Sequence, residues 1–385
     1  MNIYDVIIIG GGASGCLASI FASKKYKNIL IIDKQNKLAK KILVTGNGRC
    51  NLSNYNINSE KYNQNIDSFL NQFSVQDTLN FFKSIGLETY FDNENRIYPI
   101  SNSAKSVVDV LTNAIDSLNI KYELNCEVED IEKNNIFTIK TNKGQFLTNK
   151  LIIATGGNSM LNILEKFNLD IKNIKPSLVS IKTNSTKNLA NTRISNVKVS
   201  LVNKNNSKLY SENGEVLFKE NGISGICIFN ISSILARLNE KDSKISIDLL
   251  PFVSKDKLTN MLIKRKALNL PINKFFDGIF VNSVAYEILN RAKINENRFS
   301  TQLTANEIEK FSQIIKNFDF TIKGLYDNNQ VFAGGIKLSS LSSSLESKKI
   351  ENLYFCGEIC DVDGLCGGYN LQWAWTSGKI VGENI

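Results

Sequence analysis

The sequence contains no histidine in its 385 residues. That excludes imidazole acid–base chemistry, a Ser-His-Asp triad and histidine-liganded metal sites. The seven cysteines, at 16, 50, 126, 227, 356, 360 and 366, form no C-x-x-C pair. Neither zinc-type spacing nor a redox dithiol motif is present, and an odd, scattered set fits a reduced, cytoplasmic protein. No apolar run approaches the length of a membrane span. The first strand-like run begins at Ile3, which is read as no leader. There is also no long basic block. Formal net charge is +9, but the lysines are interspersed with Asn, Asp and Glu. That reads as a solvated Lys/Asn-rich surface in preference to a nucleic-acid patch. The chain has no internal repeat and no low-complexity linker.

What is present is concentrated at the start. Residues 3–9 are an apolar, largely β-branched run, short enough for a strand buried on both faces of a parallel sheet. It runs into Gly10-Gly-Gly-Ala-Ser-Gly15, then a helix-period segment from Cys16 to Lys25, then a second apolar strand, Ile29 to Ile32, ending at Asp33. Gly10 allows the tight turn, Gly12 removes the Cβ that would hold a pyrophosphate away, and Gly15 lets the helix pack closely on the sheet. The helix N-terminus then faces the phosphates. Asp33 lies 18 residues beyond Gly15, where a carboxylate can accept hydrogen bonds from a ribose. The full strand–turn–helix–strand–acid order argues against a ligand-free βαβ crossover. It does not separate NAD from FAD.

Further along, Ile42 to Asn51 reads as a loop with two glycines, two asparagines, Arg49 and Cys50. Such a loop can wrap a polar ligand with backbone N–H groups and place one fixed cation. Ser74 caps a helix through Ile85 that Gly86 ends, and Ser103 opens another through Leu118. Residues 96–99 read as a strand end, and 120–124, 126–131 and 136–140 as strands. Leu151 to Gly157 is a buried strand ending in a glycine turn, which in a dinucleotide fold falls at the ligand crevice. From 177 to 219 alternating patterns indicate an inserted antiparallel β domain. Helical periodicity covers 256–266, 282–292 and 304–315. Phe318 to Lys323 and Gln330 to Phe332 read as strands returning to the β domain. A second G-x-G-x-x-G is absent, so a separate NAD(P) domain is not expected and any nicotinamide reductant, NAD(P)H, binds transiently.

The C-terminal stretch decides for FAD. Residues 352–358 are a strand ending in Gly357-Glu358, and residues 361–375 lead through Gly367-Gly-Tyr-Asn-Leu-Gln372 into a final helix. FAD is longer than NAD and needs a second contact region. An acid at a strand end can hold the ribityl hydroxyls, and a helix N-terminus can stabilise negative charge at the flavin N1/O2 edge.

At this point the sequence resembles the YhiN-type flavoproteins, also called BaiN/RdsA-type NAD(P)/FAD-dependent oxidoreductases. The carriers are Gly10 to Gly15, Lys40 to Asn51, Ala154-Thr-Gly-Gly157 and the stretch from Gly357-Glu358 to Trp375. The resemblance implies a two-dinucleotide-binding-type α/β FAD domain with an inserted β-barrel-like domain and a small helical insert. Members are linked to amine oxidation and to reduction of steroid double bonds, and flavoproteins that modify tRNA are more distantly similar. Family members usually carry a Ser/Gly-rich loop with Tyr-Pro after the position of Gly157, then a helix ending in Gly-His. Here Asn158-Ser-Met-Leu-Asn-Ile-Leu leads at once into Glu165, a shortening without a histidine.

The resulting expectations are as follows. Residues 1–176 and 339–385 form the FAD domain, 177–250 the β-barrel-like insert, 251–316 the helical insert and 317–338 the return strands. Non-covalent FAD contacts fall on Gly10, Gly12, Ala13, Ser14, Gly15, Asp33, Lys34, Lys41, Gly48, Arg49, Cys50, Asn51, Val128, Ala154, Thr155, Gly156, Gly357, Glu358, Gly368, Tyr369, Asn370, Leu371 and Gln372. Arg49, Cys50 and Tyr369 are the catalytic candidates, with Arg49 weighed equally as a carboxylate partner and Tyr369 preferred as a packing residue. Cys50 and Tyr369 are expected to face a pocket walled by residues 177–338. Asp361 and Asp363 read as loop-bonding rather than metal-binding, so no metal site is expected. The substrate is expected to be a small molecule, such as an amine or an unsaturated ring compound, taking or giving hydride at flavin N5. An RNA-modifying or RNA-binding flavoprotein is the alternative.

Overall fold

The computed structural model describes residues 3–157, 159–184, 186–238, 242–295, 297–327 and 331–385. The chain forms two compact units, Met1–Lys175 with Asn329–Ile385, and Pro176–Asn328.

The first unit is built on the strand Ile3–Ile9, whose aliphatic residues Val6 to Ile9 are almost wholly buried. It pairs in parallel with Ile29–Ile32 on one side and Gly144–Ile153 on the other. The sheet continues outward through Lys121–Glu123 beyond Ile29–Ile32. The ten-residue strand Gly144–Ile153 changes partner along its free side. Residues 144–148 pair antiparallel with Phe137–Thr141, whereas Leu151 to Ile153 pair in parallel with Leu353–Phe355. Sequence periodicity marked only the apolar half of this strand, because Gln145 to Lys150 lack the apolar run. Val128–Lys133 completes the seven strands.

The first helix, Ala13–Ala22, packs against the last, Tyr369–Asn384. Both carry the small residues this needs. A Cβ on Gly378 would stand 2.4 Å from the Ser14 carbonyl oxygen, and one on Gly382 2.5 Å from that of Ala18. Each mid-helix glycine costs about 1 kcal/mol in propensity. Close backbone approach between the two ends of the chain offsets that cost. Trp373 and Trp375, both buried, then anchor the last helix, donating to the carbonyls of Gly357 at 3.0 Å and Leu52 at 2.9 Å.

In the second unit six strands close a barrel in the order Ile181–Thr183, Gly222–Ser224, Lys208–Lys219, Arg193–Val202, Lys244–Asp248, Phe318–Leu325. Helices Lys255–Lys266, Asn282–Ala292 and Ala305–Lys316 follow the expected periodicity to within a residue. Barrel residues such as Val199, Phe218 and Phe320 and helix residues such as Leu258, Ile288 and Phe311 belong to one apolar cluster.

Two expectations need correction. Gln330 lies outside the described residues. The strand that follows it, Val331–Ile336, pairs with Ile171–Ser177 instead of joining the barrel. A close approach explains the choice: Gly334, at φ +105°, lies where a Cβ would meet the Asn173 carbonyl oxygen at 2.3 Å. The helix Ile226–Arg237 was read as part of a β domain. Its sequence contains four isoleucines, a β-branched residue common in strands, and burial on most of its circumference erases the amphipathic signal.

The helix start at Ser74 carries the capping chemistry read from the sequence, whereas Ser103 opens its helix without a side-chain cap bond. Ser74 and Asp77 form a capping box, as do Thr304 and Glu307. Arg298 donates to both Glu307 oxygens, at 2.7 and 3.1 Å. These bonds outweigh a smaller desolvation effect and hold the Glu307 carboxyl down at about 2 instead of 4.5. A depressed folded-state value means that the pair stabilises the fold above the ordinary carboxylate range. The contribution then disappears as pH falls from about 4.5 toward about 2. Urea unfolding should show wild type ahead of Arg298→Gln by roughly 0.5 kcal/mol at neutral pH. That gap should close near the lower limit, and a gap independent of pH would contradict the assignment.

Candidate functional site: the carboxyl edge of the parallel sheet

Register places the ends of the parallel strands side by side. Ile9 is opposite Ile32 and Ile153, and Ile153 is opposite Phe355. The segments after them, beginning at Gly10, Asp33, Ala154 and Cys356, therefore emerge along one edge, the usual ligand crevice of an open α/β sheet. Backbone bonds lock the arrangement. Gly10 N–H donates to Ile32 at 2.8 Å, Ala154 N–H to Ile9 at 2.8 Å and Cys356 N–H to Ile153 at 3.1 Å.

The glycines of the turn separate into two kinds. Gly10, at φ +105°, has the Ala154 carbonyl oxygen 2.4 Å from its Cβ direction, and Gly15 has the Gly10 carbonyl oxygen at only 1.9 Å. These two are required by packing. Gly12 precedes Ala13 and Ser14 at the start of the helix without a side-chain cap, and its Cβ direction meets nothing within 4 Å. Open space there, beside uncapped helix amides, matches the cradle a pyrophosphate needs.

Asp33 joins the first two strand ends. Its Oδ2 accepts from Gly11 N–H at 2.6 Å and its Oδ1 from Gln35 N–H at 2.7 Å. A carboxylate has about four acceptor positions, so both oxygens keep capacity for ribose hydroxyls. Lys34 beside it is exposed. Cys126 N–H donates to the Asp33 carbonyl at 2.9 Å, and Val128 follows two residues later at the start of the strand Val128–Lys133.

Glu358 draws in the distant parts of the unit. Its Oε2 is 2.9 Å from Lys41 Nζ and accepts from Gly157 N–H at 3.3 Å, while its Oε1 accepts from Phe332 N–H at 2.9 Å. Gly156, at φ +82°, lies against the same carboxylate, with Oε2 3.3 Å from its Cβ direction. Gly357 sits on Ser14, whose Oγ would lie 2.3 Å from a Cβ there. Gly357 N–H donates to Ser377 Oγ at 2.8 Å, a contact sequence reasoning missed because a lone serine in a helix carries no pattern. Thr155 turns inward, its Oγ1 donating to the Ser159 carbonyl at 3.4 Å. Asn158 lies outside the described residues.

The loop through Arg49 is a run of short turns, Lys40–Gly48, with Gly46, Asn47, Gly48 and Cys50 all at positive φ. Gly48, like Gly12, has nothing near its Cβ direction. Asn51 Oδ1 is buried without a hydrogen-bond partner among the described residues, 2.9 Å from the Cβ direction of Gly368 at the start of the last helix. An orphaned acceptor at the start of the last helix and open glycine faces at Gly12 and Gly48 fit a large polar ligand of the FAD kind.

Other expected contacts are engaged by the protein itself. Cys50 is buried, and burial pushes its thiol up to about 12, so it is no thiolate. Tyr369 is also buried, edge-on to Tyr62, whose hydroxyl donates to the Tyr369 carbonyl at 2.8 Å. The left-handed backbone at Cys50 turns its side chain inward, and Tyr62 packs edge-on against Tyr369. Asn370 makes two bonds to Gly364, each 2.9 Å. Gln372 is wholly buried among Ser53, Thr78 and Thr376. Leu371 packs on the core. Arg49 pairs with no carboxylate among the described residues; its guanidinium lies 4.6 Å from the ring centroid of Tyr98.

A two-ended dinucleotide crevice with an acid at each end and an uncapped glycine turn between them defines the class, an FAD-dependent oxidoreductase. Comparison with known proteins agrees, and residues 4–384 match the HI0933-like protein Rossmann domain, so the chain belongs to that family. It is 31% identical to a 3-dehydro-bile acid delta(4,6)-reductase of Clostridium scindens, over 98% of this chain and 97% of that protein. It is 29% identical to a ribosomal RNA dihydrouridine synthase of Escherichia coli, over 100% and 98% of the two chains. A solved 3-ketosteroid delta1-dehydrogenase from Sterolibacterium denitrificans shares the fold, with a TM-score of 0.51 at 11% identity over 99% of both chains. No helix among the described residues is long and apolar enough to cross a membrane.

Proposed function

We propose that this chain holds FAD non-covalently and reduces a carbon–carbon double bond conjugated to a carbonyl in a small molecule. One observation carries the reading. The C. scindens and E. coli relatives, similar to this chain end to end, have names that describe very different substrates but one chemistry, hydrogen added across such a bond.

In this reading the Gly10–Gly15 turn and the following helix hold the pyrophosphate, Asp33 the adenosine ribose and Glu358 the ribityl hydroxyls. Amides at the start of the last helix would face the N1/O2 edge. Bound there, FAD would supply hydride from N5, with a reduced nicotinamide as the two-electron donor. Hydride reaches the β-carbon, the π pair moves to join the α-carbon and carbonyl carbon, and the carbonyl oxygen becomes an enolate. A proton from water then closes the α-carbon.

The test is anaerobic. Protein reconstituted with FAD and reduced by NADH or NADPH should be reoxidised by a conjugated enone and not by its saturated ketone. Bleaching of the oxidised flavin by amines, with no reoxidation by any conjugated carbonyl, would replace this reading with amine oxidation.

A second reading has its own support. Of the 46 Lys and Arg residues 22 fall within Pro176–Asn328, with 14 of the 37 Asp and Glu, so that unit carries +8 of the total +9. Such asymmetry suits a uracil ring presented within RNA, with lysines on the phosphates. Affinity for an rRNA fragment that falls steeply with salt, with reoxidation by that RNA, would select this substrate over a small enone.

A further inference from the structure

We propose that Arg49, seated on the ring of Tyr98, is the cation that receives the substrate's carbonyl oxygen as it becomes an enolate. The inference rests on the reading of a conjugated carbonyl substrate given above.

Three observations carry it. First, the guanidinium is pre-positioned. Its carbon is 4.6 Å from the Tyr98 ring centroid, and Tyr98 is 3% exposed within the strand Arg96–Pro99, backed by a stacked Tyr90 at 5.9 Å. The ring is a fixed platform rather than a mobile surface side chain.

Second, the charge is uncommitted. Arg96, Arg291 and Arg298 meet carboxylates at 2.8, 2.9 and 2.7 Å, whereas no carboxylate among the described residues pairs with Arg49. Its side chain is exposed. Stacking fixes the plane without consuming N–H donors. Those donors stay available for an oxyanion.

Third, the stack is close to the start of the last helix. Ser53 pairs with Ile97 on one side. On the other, the Ser53 carbonyl oxygen lies 2.4 Å from the Cβ direction of Gly368. One short strand thus separates the Arg49–Tyr98 stack from the helix N-terminus assigned to the ring edge.

Chemistry narrows the role. Reduction of a conjugated carbonyl builds negative charge on oxygen, and a fixed donor there acts only as that charge develops. The chain has no histidine, and Cys50 and Tyr369 are buried. Arginine cannot act as the proton donor at any ordinary pH, so it stabilises the enolate while water supplies the proton. Tyr98 is a positioning residue.

The probe is 4-chlorophenol, whose phenolate mimics an enolate and gives a long-wavelength charge-transfer band over an oxidised flavin. FAD-loaded wild type should bind the phenolate, with the titration midpoint of the bound phenol below its value in water. In Arg49→Gln the affinity should fall by about tenfold or more and the midpoint should move back up, with FAD content unchanged. Arg49→Lys should recover part of the shift, and Tyr98→Leu should weaken binding less than Arg49→Gln. Loss of FAD from Arg49→Gln would overturn the proposal by assigning the guanidinium to the cofactor. An unchanged phenolate titration in that variant would overturn the enolate role alone. A loaded wild type that shows no phenolate band would sink both this role and the conjugated-carbonyl reading.

Discussion

Gly12→Val is expected to yield a folded protein that no longer retains FAD. The backbone tolerates valine, because Gly12 sits at φ −77° and ψ −167°, extended geometry open to any residue. Its Cβ direction meets no protein atom within 4 Å. The added side chain would stand in the cradle at the helix N-terminus, where the pyrophosphate of a dinucleotide binds. Losing that site should lower FAD affinity by at least about a hundredfold, equivalent to roughly 2.7 kcal/mol. Cofactor released by heat and quantified by chromatography measures it, with circular dichroism confirming the fold. Gly15→Val is the control with the opposite result, since a Cβ 1.9 Å from the Gly10 carbonyl oxygen cannot be accommodated without moving backbone. That variant should fail to fold. Normal flavin content in folded Gly12→Val would refute the proposed placement of the pyrophosphate.

The second large effect concerns Gln372. Its Oε1 accepts from Ser53 Oγ at 2.7 Å, and its Nε2 donates to Thr78 Oγ1 at 2.8 Å and Thr376 Oγ1 at 3.1 Å. All four residues are buried, and the bonds to Ser53 and Thr78 tie the last helix to segments some 300 positions earlier. Gln372→Leu keeps the volume and removes the amide, leaving Ser53 Oγ without its acceptor. A buried polar group so stranded costs about 1–3 kcal/mol, and with the lost bonds the variant should be less stable by roughly 2–4 kcal/mol. Chemical unfolding at saturating FAD measures this. Unchanged stability together with lost flavin would mean that the side chain serves the cofactor directly.

These two positions divide what was legible in the chain from what was not. At Gly12 the requirement is local: strand, glycines and helix follow one another within a few residues, and each places the next. The same holds for the Ser74–Asp77 capping box, which sets a helix start from four consecutive residues. Gln372 belongs to a recognisable motif, yet its side chain turns into the core. The motif marks the position, and only the packing shows to what its amide bonds.

The sequence by itself determined the parallel β–α–β start, the acid at the second strand end, the distant Gly357-Glu358 strand end and the exclusion of histidine chemistry. These follow from short-range geometry and from residue types. Tertiary structure alone decided the alternatives that depend on partners far along the chain. Arg49 could equally have paired with a carboxylate; it stacks on Tyr98 because the strand Arg96–Pro99 is brought beside Ser53–Asn54. Val331–Ile336 could have returned to the barrel, but its glycines let it lie against Ile171–Ser177. Cys50 is in a polar loop by sequence and buried in the fold, because its φ of +59° turns the side chain inward. In each case several pairings satisfy the local preferences, and long-range close packing selects one of them.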